Sequence, residues 1–207
     1  LPQEEEKPKF WESIKDLAAN RKFWLAGITN AFYSAAMALV LASLPFFVKY
    51  TLQIPDKQST LLFASVLLIA IGCVSVWAYL VRKYSLIPVW RVALIALALA
   101  FVPLYFANSL VSAILGSALV GFGFAGVITT MDLIGARIMD EDTQKHNVRR
   151  EGIISNALGF MNRLNGLFTS AAFYLIFVLF GFESGNNPGA DPANASRFLL
   201  TVFPFVL

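Results

Sequence analysis

The chain has 207 residues, of which 57% are hydrophobic and 14% carry a charge, whereas roughly a quarter of the residues in an average soluble domain are charged. This composition excludes an ordinary water-soluble globule, and the charges collect in short clusters between long apolar runs, as in chains that alternate between water and a lipid bilayer. A net charge of +3 is compatible with a nucleic-acid partner. The distribution of the basic residues argues against one, because they form no continuous face.

Residues 1–22 are predicted to form a cytoplasmic linker followed by an interfacial amphipathic helix. Phe10, Trp11, Ile14 and Leu17 recur at helical spacing. Such a helix commonly lies on a membrane surface with its aromatic side chains toward the lipid.

Residues 23–207 are predicted to form a bundle of helices that cross the bilayer, because a spanning helix needs about 20 mostly apolar residues. The predicted fold class is an all-α membrane protein, a six-helix half-bundle whose last helix is truncated. The last apolar run is short and the chain does not begin with methionine, so we expect a fragment cut at both ends. The predicted spans cover about 23–50, 60–81, 88–106, 110–136, 152–182 and an incomplete 197–207.

Lysine and arginine are distributed unequally between the two sets of connections. Only Lys49, Lys57 and Arg197 fall on one side, whereas the amino-terminal segment and the polar stretch 137–151 on the other side are rich in both residues. Because short cytoplasmic loops carry the excess of positive charge, the amino end and the loop 137–151 are predicted to be cytoplasmic in a multi-pass protein of the cell membrane.

The fourth span contains a run of glycines and one carboxylate. The glycines of residues 121–126 match the spacing of a dinucleotide-binding loop, but no strand precedes them, so they are predicted to permit close helix contact. Asp132 lies near the cytoplasmic end of this span, beside Thr130, and both are candidate pathway residues. The carboxylate has four open interpretations: a partner for Arg163, a ligand of a coupling cation, a proton carrier, or a hydrated interfacial group.

The fifth span carries an arginine about twelve residues inside it, too deep for easy snorkelling to the surface. Polar and small residues recur around it at helical spacing, which indicates that one side of this helix faces an aqueous cavity or other helices. The candidate residues of a solute pathway on this span are Arg163, Asn162, Asn156 and Gly166. The alternative is assembly, in which Arg163 pairs with a carboxylate or with backbone carbonyls and the amides tie helices together.

Patterns of catalytic or metal-binding residues are missing from the sequence. Neither G-x-S-x-G nor a P-loop occurs, Cys73 is the only cysteine, and His146 lacks the neighbours of a metal site. We therefore expect no enzyme activity, bound cofactor or metal. The stretch 137–151 is predicted to be a solvated loop with exposed salt bridges, which individually contribute little to stability.

This stretch contains Asp140-Glu141-Asp142 and, after them, runs on into Arg149-Arg150-Glu151-Gly152. These residues resemble the D-x-D-E…R-R-E-G signature of the glycoside-pentoside-hexuronide:cation symporters. This family is typified by melibiose permease and belongs to the major facilitator superfamily. The lead-in Trp11–Phe23 is also similar, so the resemblance covers nearly the whole chain. It implies the carboxy-terminal half of a twelve-helix transporter, whose partners are the lipid bilayer, a small-molecule solute and the amino-terminal six-helix half of the same protein.

The resemblance also implies roles for individual residues. Arg163 falls on the position of a helix-eleven lysine that the family associates with its cation and sugar region. The implied salt bridges of a cytoplasmic gate involve Asp140, Arg149 and Glu151. Arg137 and Thr143 stand where the family pattern has acidic residues. The salt bridges of the gate are therefore expected to differ from those of the family.

The predicted function is cation-coupled symport of a sugar or glycoside by alternating access, with sodium or a proton as the coupling cation. The family also contains lysolipid carriers, which form one alternative. A non-transporting membrane assembly subunit, in which Arg163 pairs with an acid of a partner, is the other.

Overall fold

The computed structural model describes residues 10–146, 150–183 and 188–207, and these are helical apart from short connections, with no β-strand among them. We name the helices in chain order. They are α1 (Phe10–Ala19), α2 (Arg21–Phe46), α3 (Ser59–Tyr84), α4 (Leu86–Tyr105), α5 (Leu110–His146), α6 (Glu151–Arg163), α7 (Asn165–Phe180), α8 (Pro192–Arg197) and α9 (Phe203–Val206).

Five helical runs are long and apolar enough to cross a membrane: α2 with its extension to Leu52, α3, α4, α5, and α6 with α7. Many of their large apolar side chains point outward, such as Leu68 and Ile71 on α3, which are 69% and 73% exposed. An apolar surface of this extent is typical of contact with lipid or with another protein. The prediction of an all-α membrane protein is confirmed.

Prolines accompany the irregular turns of the bundle. Pro45 lies inside α2, which continues as a π-helical segment over Phe47–Leu52. A second π-helical segment, Phe198–Val202, joins α8 to α9 just before Pro204. Proline lacks a backbone N–H and its ring collides with the carbonyl four residues earlier. For Pro204 this is the carbonyl of Leu200, inside the second π-helical segment, whereas the first segment lies after Pro45.

The polar stretch 137–151 is mostly helix, so the prediction of a loop is wrong as far as His146. Arg137, Glu141 and Lys145 are spaced four residues apart, which puts them on one side of α5. The Nε atom of Arg137 lies 3.1 Å from the Oε1 atom of Glu141. A pair of this kind favours the continuation of α5 beyond its apolar part, so that the helix ends in a charged segment.

Helix α5 forms the centre of the bundle, packed against α3 on one side and α4 on the other. A Cβ atom at Gly123 would lie 2.5 Å from Cα of Leu97 on α4, and one at Gly126 would lie 2.5 Å from the ring of Trp77 on α3. The indole N–H of Trp77, which is 1% exposed, donates to the carbonyl oxygen of Phe122 over 2.9 Å. The prediction that these glycines permit close helix contact is confirmed.

Helix α2 joins this central unit to α6 and α7. At its start, the side chain of Asn20 accepts hydrogen bonds from the backbone N–H groups of Lys22 and Phe23, which satisfies donors that a helix terminus otherwise leaves free. Further along, the amide of Asn165 on α7 donates to Oγ of Ser34 over 3.0 Å. Apolar side chains of α2, α5 and α6 also pack into one cluster near the charged end of α5.

We expect Gly123→Val to lower the free energy of unfolding by about 1–3 kcal/mol, the usual cost of overpacking, because its side chain has no room against Leu97. Thermal unfolding of the full-length protein in detergent would measure this. Gly72→Val is the matched control, since a Cβ atom at Gly72 on α3 meets nothing within 4 Å. Equal losses in both variants would contradict the close packing of α5.

Candidate functional site

A cavity of about 350 Å³ lies between α2, α5 and α6, and Asp132 is its charged residue. The amide of Asn30 on α2 lines the same space. Asp132 also lies close enough to the phenol of Tyr33 for the two to interact electrostatically. The other lining residues are Ala26, Met131, Gly135, Ala136, Met139 and Leu158.

Thr130 lies apart from that cavity, although the sequence groups it with Asp132. It is fully buried, and its hydroxyl donates to the carbonyl oxygens of Gly126 (2.7 Å) and Val127 (3.1 Å) in its own helix. A threonine bonded in this way satisfies its own polar group and packs within the bundle.

Arg163 is the last residue of α6, at an interruption of the fifth span. Leu164 separates α6 from α7, and its N–H donates to the carbonyl of Met161 over 3.1 Å, a tighter turn than an α-helix has. The side chain of Arg163 is exposed and makes no ion pair with any residue that the structure describes. Twelve residues of helix place it about 18 Å from Glu151 along the axis.

The other candidates on α6 and α7 divide into two groups. Asn156 and Gly166 lie on the open side with Arg163, and a Cβ atom at Gly166 would meet nothing within 4 Å. Asn162 is half-buried, and its Oδ1 atom is enclosed without a hydrogen-bond partner among the described residues. The structure therefore brings Arg163, Asn156 and Gly166 to one face and turns Asn162 toward the interior.

A charged cluster ties α1, α5 and the start of α6 together at the carboxyl end of α5. Arg150, only 5% exposed, bonds both oxygens of Asp142 on α5: its Nε lies 3.0 Å from Oδ2 and its Nη2 lies 2.6 Å from Oδ1. Its Nη1 donates to Oδ2 of Asp16 on α1 over 3.2 Å. The hydrogen bond to Asp142, with a smaller contribution from Asp16, raises the pKa of the Arg150 guanidinium against the opposing effect of burial.

His146 completes this cluster. Its Nδ1 lies 2.7 Å from Nη2 of Arg150, and its Nε2 lies 3.3 Å from Oδ2 of Asp16. A guanidinium only donates, so Nδ1 accepts in its contact with Arg150. The same Nδ1 also lies 3.1 Å from the carbonyl oxygen of Asp142, a contact in which it has to donate. A second, exposed group surrounds Glu141, which binds Lys22 over 2.6 Å and Arg137 over 3.1 Å.

The cluster uses different residues from the predicted gate. Asp140 and Glu151 are exposed and form no ion pair within the part of the chain that the structure describes, and Arg149 lies outside the described residues. The residues that do meet are Asp16, Asp142, His146 and Arg150. The alternation of Asp140 and Asp142 along the charged stretch was visible in the sequence, but which of them points inward depends on the helical phase of α5.

No group of three or more His, Cys, Asp or Glu side chains in the described residues has the geometry to hold a metal ion. The arrangement has an exposed arginine at Arg163, an acidic cavity at Asp132 and a buried ion cluster at the carboxyl end of α5.

Comparison with known proteins gives one match. The sequence model of the family described as MFS/sugar transport protein matches residues 2–207. No curated protein matches the chain significantly.

We expect Arg150→Gln to destabilise the protein by roughly 3–5 kcal/mol, because Asp142, which is 8% exposed, then loses the counter-charge of a buried pair. Adding Asp142→Asn should recover part of that loss, since the uncompensated charge is removed. Chemical denaturation of the full-length protein would measure both. Lys145→Gln, on the exposed side of α5, is the control, and a stable Arg150→Gln protein would contradict the role of the cluster.

Proposed function

This chain belongs to the MFS/sugar transport protein family and is a transporter of the major facilitator type, and we propose that it forms the carboxy-terminal half of a cation-coupled symporter. The proposed subfamily is that of melibiose permease, and the proposed cargo is a sugar or glycoside. In this proposal two six-helix halves rock around a site near the middle of the membrane. The coupling cation is sodium or a proton, and its carboxylates lie mainly in the other half.

The observation that supports this proposal best is the interruption of the fifth span at Arg163. Backbone that departs from a regular helix at membrane depth is tolerated where it faces protein or a water-filled cavity. A guanidinium in the same place is expensive when it faces lipid. The face that carries Arg163, Asn156 and Gly166 is therefore assigned to the solute pathway and to contact with the other half.

Interrupted helices are a recurring feature of secondary transporters, where the ends of half-helices point at the substrate. At the carboxyl end of α6 the N–H of Leu164 donates to the carbonyl oxygens of Met161 and Asn162. The carboxyl end of a helix favours a cation beside it. Arg163 supplies that cation and keeps its five donors for a ligand or for an acid of the other half. Asn162, one residue earlier, adds an enclosed and unbonded carbonyl oxygen.

The cytoplasmic cluster supports a gate at that end of the molecule. Arg150 fixes α1, α5 and the start of α6 to one another, so the cytoplasmic end of this half moves as a unit. Asp140 and Glu151 lie exposed beside it and are proposed to form ion pairs with the other half when the cytoplasmic side is closed. The assignment of Arg149 to the same gate rests on the family resemblance.

We expect Arg163→Ala to reduce gradient-driven uptake by about a hundredfold or more, the effect of losing a charged contact worth roughly 3 kcal/mol. Uptake of labelled melibiose and of a labelled lysolipid into proteoliposomes, under a sodium gradient and under a pH gradient, would measure this. Arg91→Ala, an exposed arginine near the start of α4, is the matched control.

Membrane insertion of both variants has to match the wild type for this comparison. Wild-type uptake by an inserted Arg163→Ala protein would contradict the proposed pathway. If the wild-type protein moves neither solute under either gradient, and Arg163→Ala abolishes copurification of another membrane protein, the assembly function is favoured.

A further inference from the structure

We propose that the cavity at Asp132 binds an ammonium group of the transported solute, so that the cargo is an amine-bearing molecule such as an amino sugar. This inference rests on the proposed transport function, because it takes the cavity to be part of the solute pathway. It adds the chemical class of one contact that the family membership leaves open.

Asp132 has an exceptional position among the acidic residues of the described helices. The other carboxylates of α5 are Asp140, Glu141 and Asp142, in its charged cytoplasmic end, whereas Asp132 lies eight residues before Asp140, which corresponds to about 12 Å along the helix. It has no ion pair with any lysine, arginine or histidine that the structure describes. The Asp132 side chain is exposed on a helix that is apolar enough to span a membrane. A carboxylate in that position needs a positive partner or water, and the described residues supply no such partner.

The small residues around Asp132 create the space that a ligand would occupy. Gly135 and Ala136 follow it at helical spacing on the same face of α5, and a Cβ atom at Gly135 would meet nothing within 4 Å. The resulting volume of about 350 Å³ exceeds by roughly tenfold the share of one water molecule in the liquid. The space is large enough for an organic group.

The chemistry of the lining favours an organic ammonium over a metal cation. Hard cations are bound by several oxygen ligands, and here the side chains supply oxygen only from Asp132 and Asn30 among the lining residues. The rest of the wall consists of methionine, leucine, alanine and glycine. An ammonium group needs one negative charge and one or two acceptors for its N–H donors, while its carbon substituents need apolar contact.

Each wall has a separate part in this arrangement. The carboxylate of Asp132 on α5 and the amide oxygen of Asn30 on α2 provide the acceptors. Met131 and Met139 provide thioethers, which adapt to irregular ligands. Leu158 of α6 closes the cavity on the third side, so a ligand bound there touches all three helices that meet at the cytoplasmic end.

The test compares ligands that differ only in the charged amine, bound to the full-length transporter in detergent. The pairs are glucosamine with glucose and ethanolamine with ethylene glycol, with affinity measured by thermal stabilisation of the protein. We expect the amine to bind at least about tenfold more tightly than its neutral counterpart, because one charge-assisted hydrogen bond contributes enough binding free energy for that difference in affinity.

Asp132→Asn should remove this preference, and Asp132→Glu should retain part of it. Gly135→Leu should weaken amine binding by filling the cavity, whereas Gly72→Leu, with equally open surroundings on α3, should leave it unchanged. Equal affinities within both pairs for the wild type, no stabilisation by either amine, or an amine preference that survives Asp132→Asn would each overturn the inference.

Uptake into proteoliposomes separates this inference from the proposed function. If neutral sugars are transported and the amine preference is missing, the transport function stands and the ammonium site falls. If the amines bind in an Asp132-dependent way but no solute crosses the membrane, the site stands and the transport function falls.

Discussion

The cost of removing an ionised side chain from water is the constraint on which the whole structure depends. That cost is several kcal/mol per ion even after relaxation, and a partner has to offset it. The chain meets this requirement at the charged end of α5, where Arg150 neutralises Asp142 and binds Asp16 as well. Asp132 and Arg163 are exposed and have no ion partner within the described residues, and the proposed function assigns their partners to the solute and to the rest of the transporter.

A second constraint, the lipid surroundings, explains why the bundle needs such close helix contacts. Lipid provides no hydrophobic force that drives helix against helix, so association depends on packing and on a few polar bonds. The glycines of α5 allow α3 and α4 to approach its backbone, and the indole of Trp77 gains a hydrogen bond to α5 as a result. With α3, α4 and α5 held together in this way, α2 and α6 border a cavity that opens beside the tightly packed core.

The sequence predicted those properties that depend on composition and on short-range spacing. The all-α class, the long apolar helices and the packing role of the α5 glycines follow from patterns within one helix, and the structure agrees with them. The predicted end of α5 was wrong. A dense mixture of charges suggests a solvated loop, but charged residues spaced four apart, such as Arg137 and Glu141, equally suit a helix. The cavity at Asp132 and the pairing of Arg150 with Asp16 were out of reach, because both need the relative rotation of helices far apart in sequence.

The interruption at Leu164 divides the fifth span into two parts with different attachments. Through Asn165, α7 is bonded to α2, whereas α6 begins at the ion cluster and contacts α2 through Met161 and Gly27. The two parts are joined by a single tight turn at Leu164, whose N–H donates to the carbonyl of Met161 and whose carbonyl accepts from Leu167. Arg163 therefore lies where a helix attached to the ion cluster meets a helix attached to α2, and its position depends on both attachments.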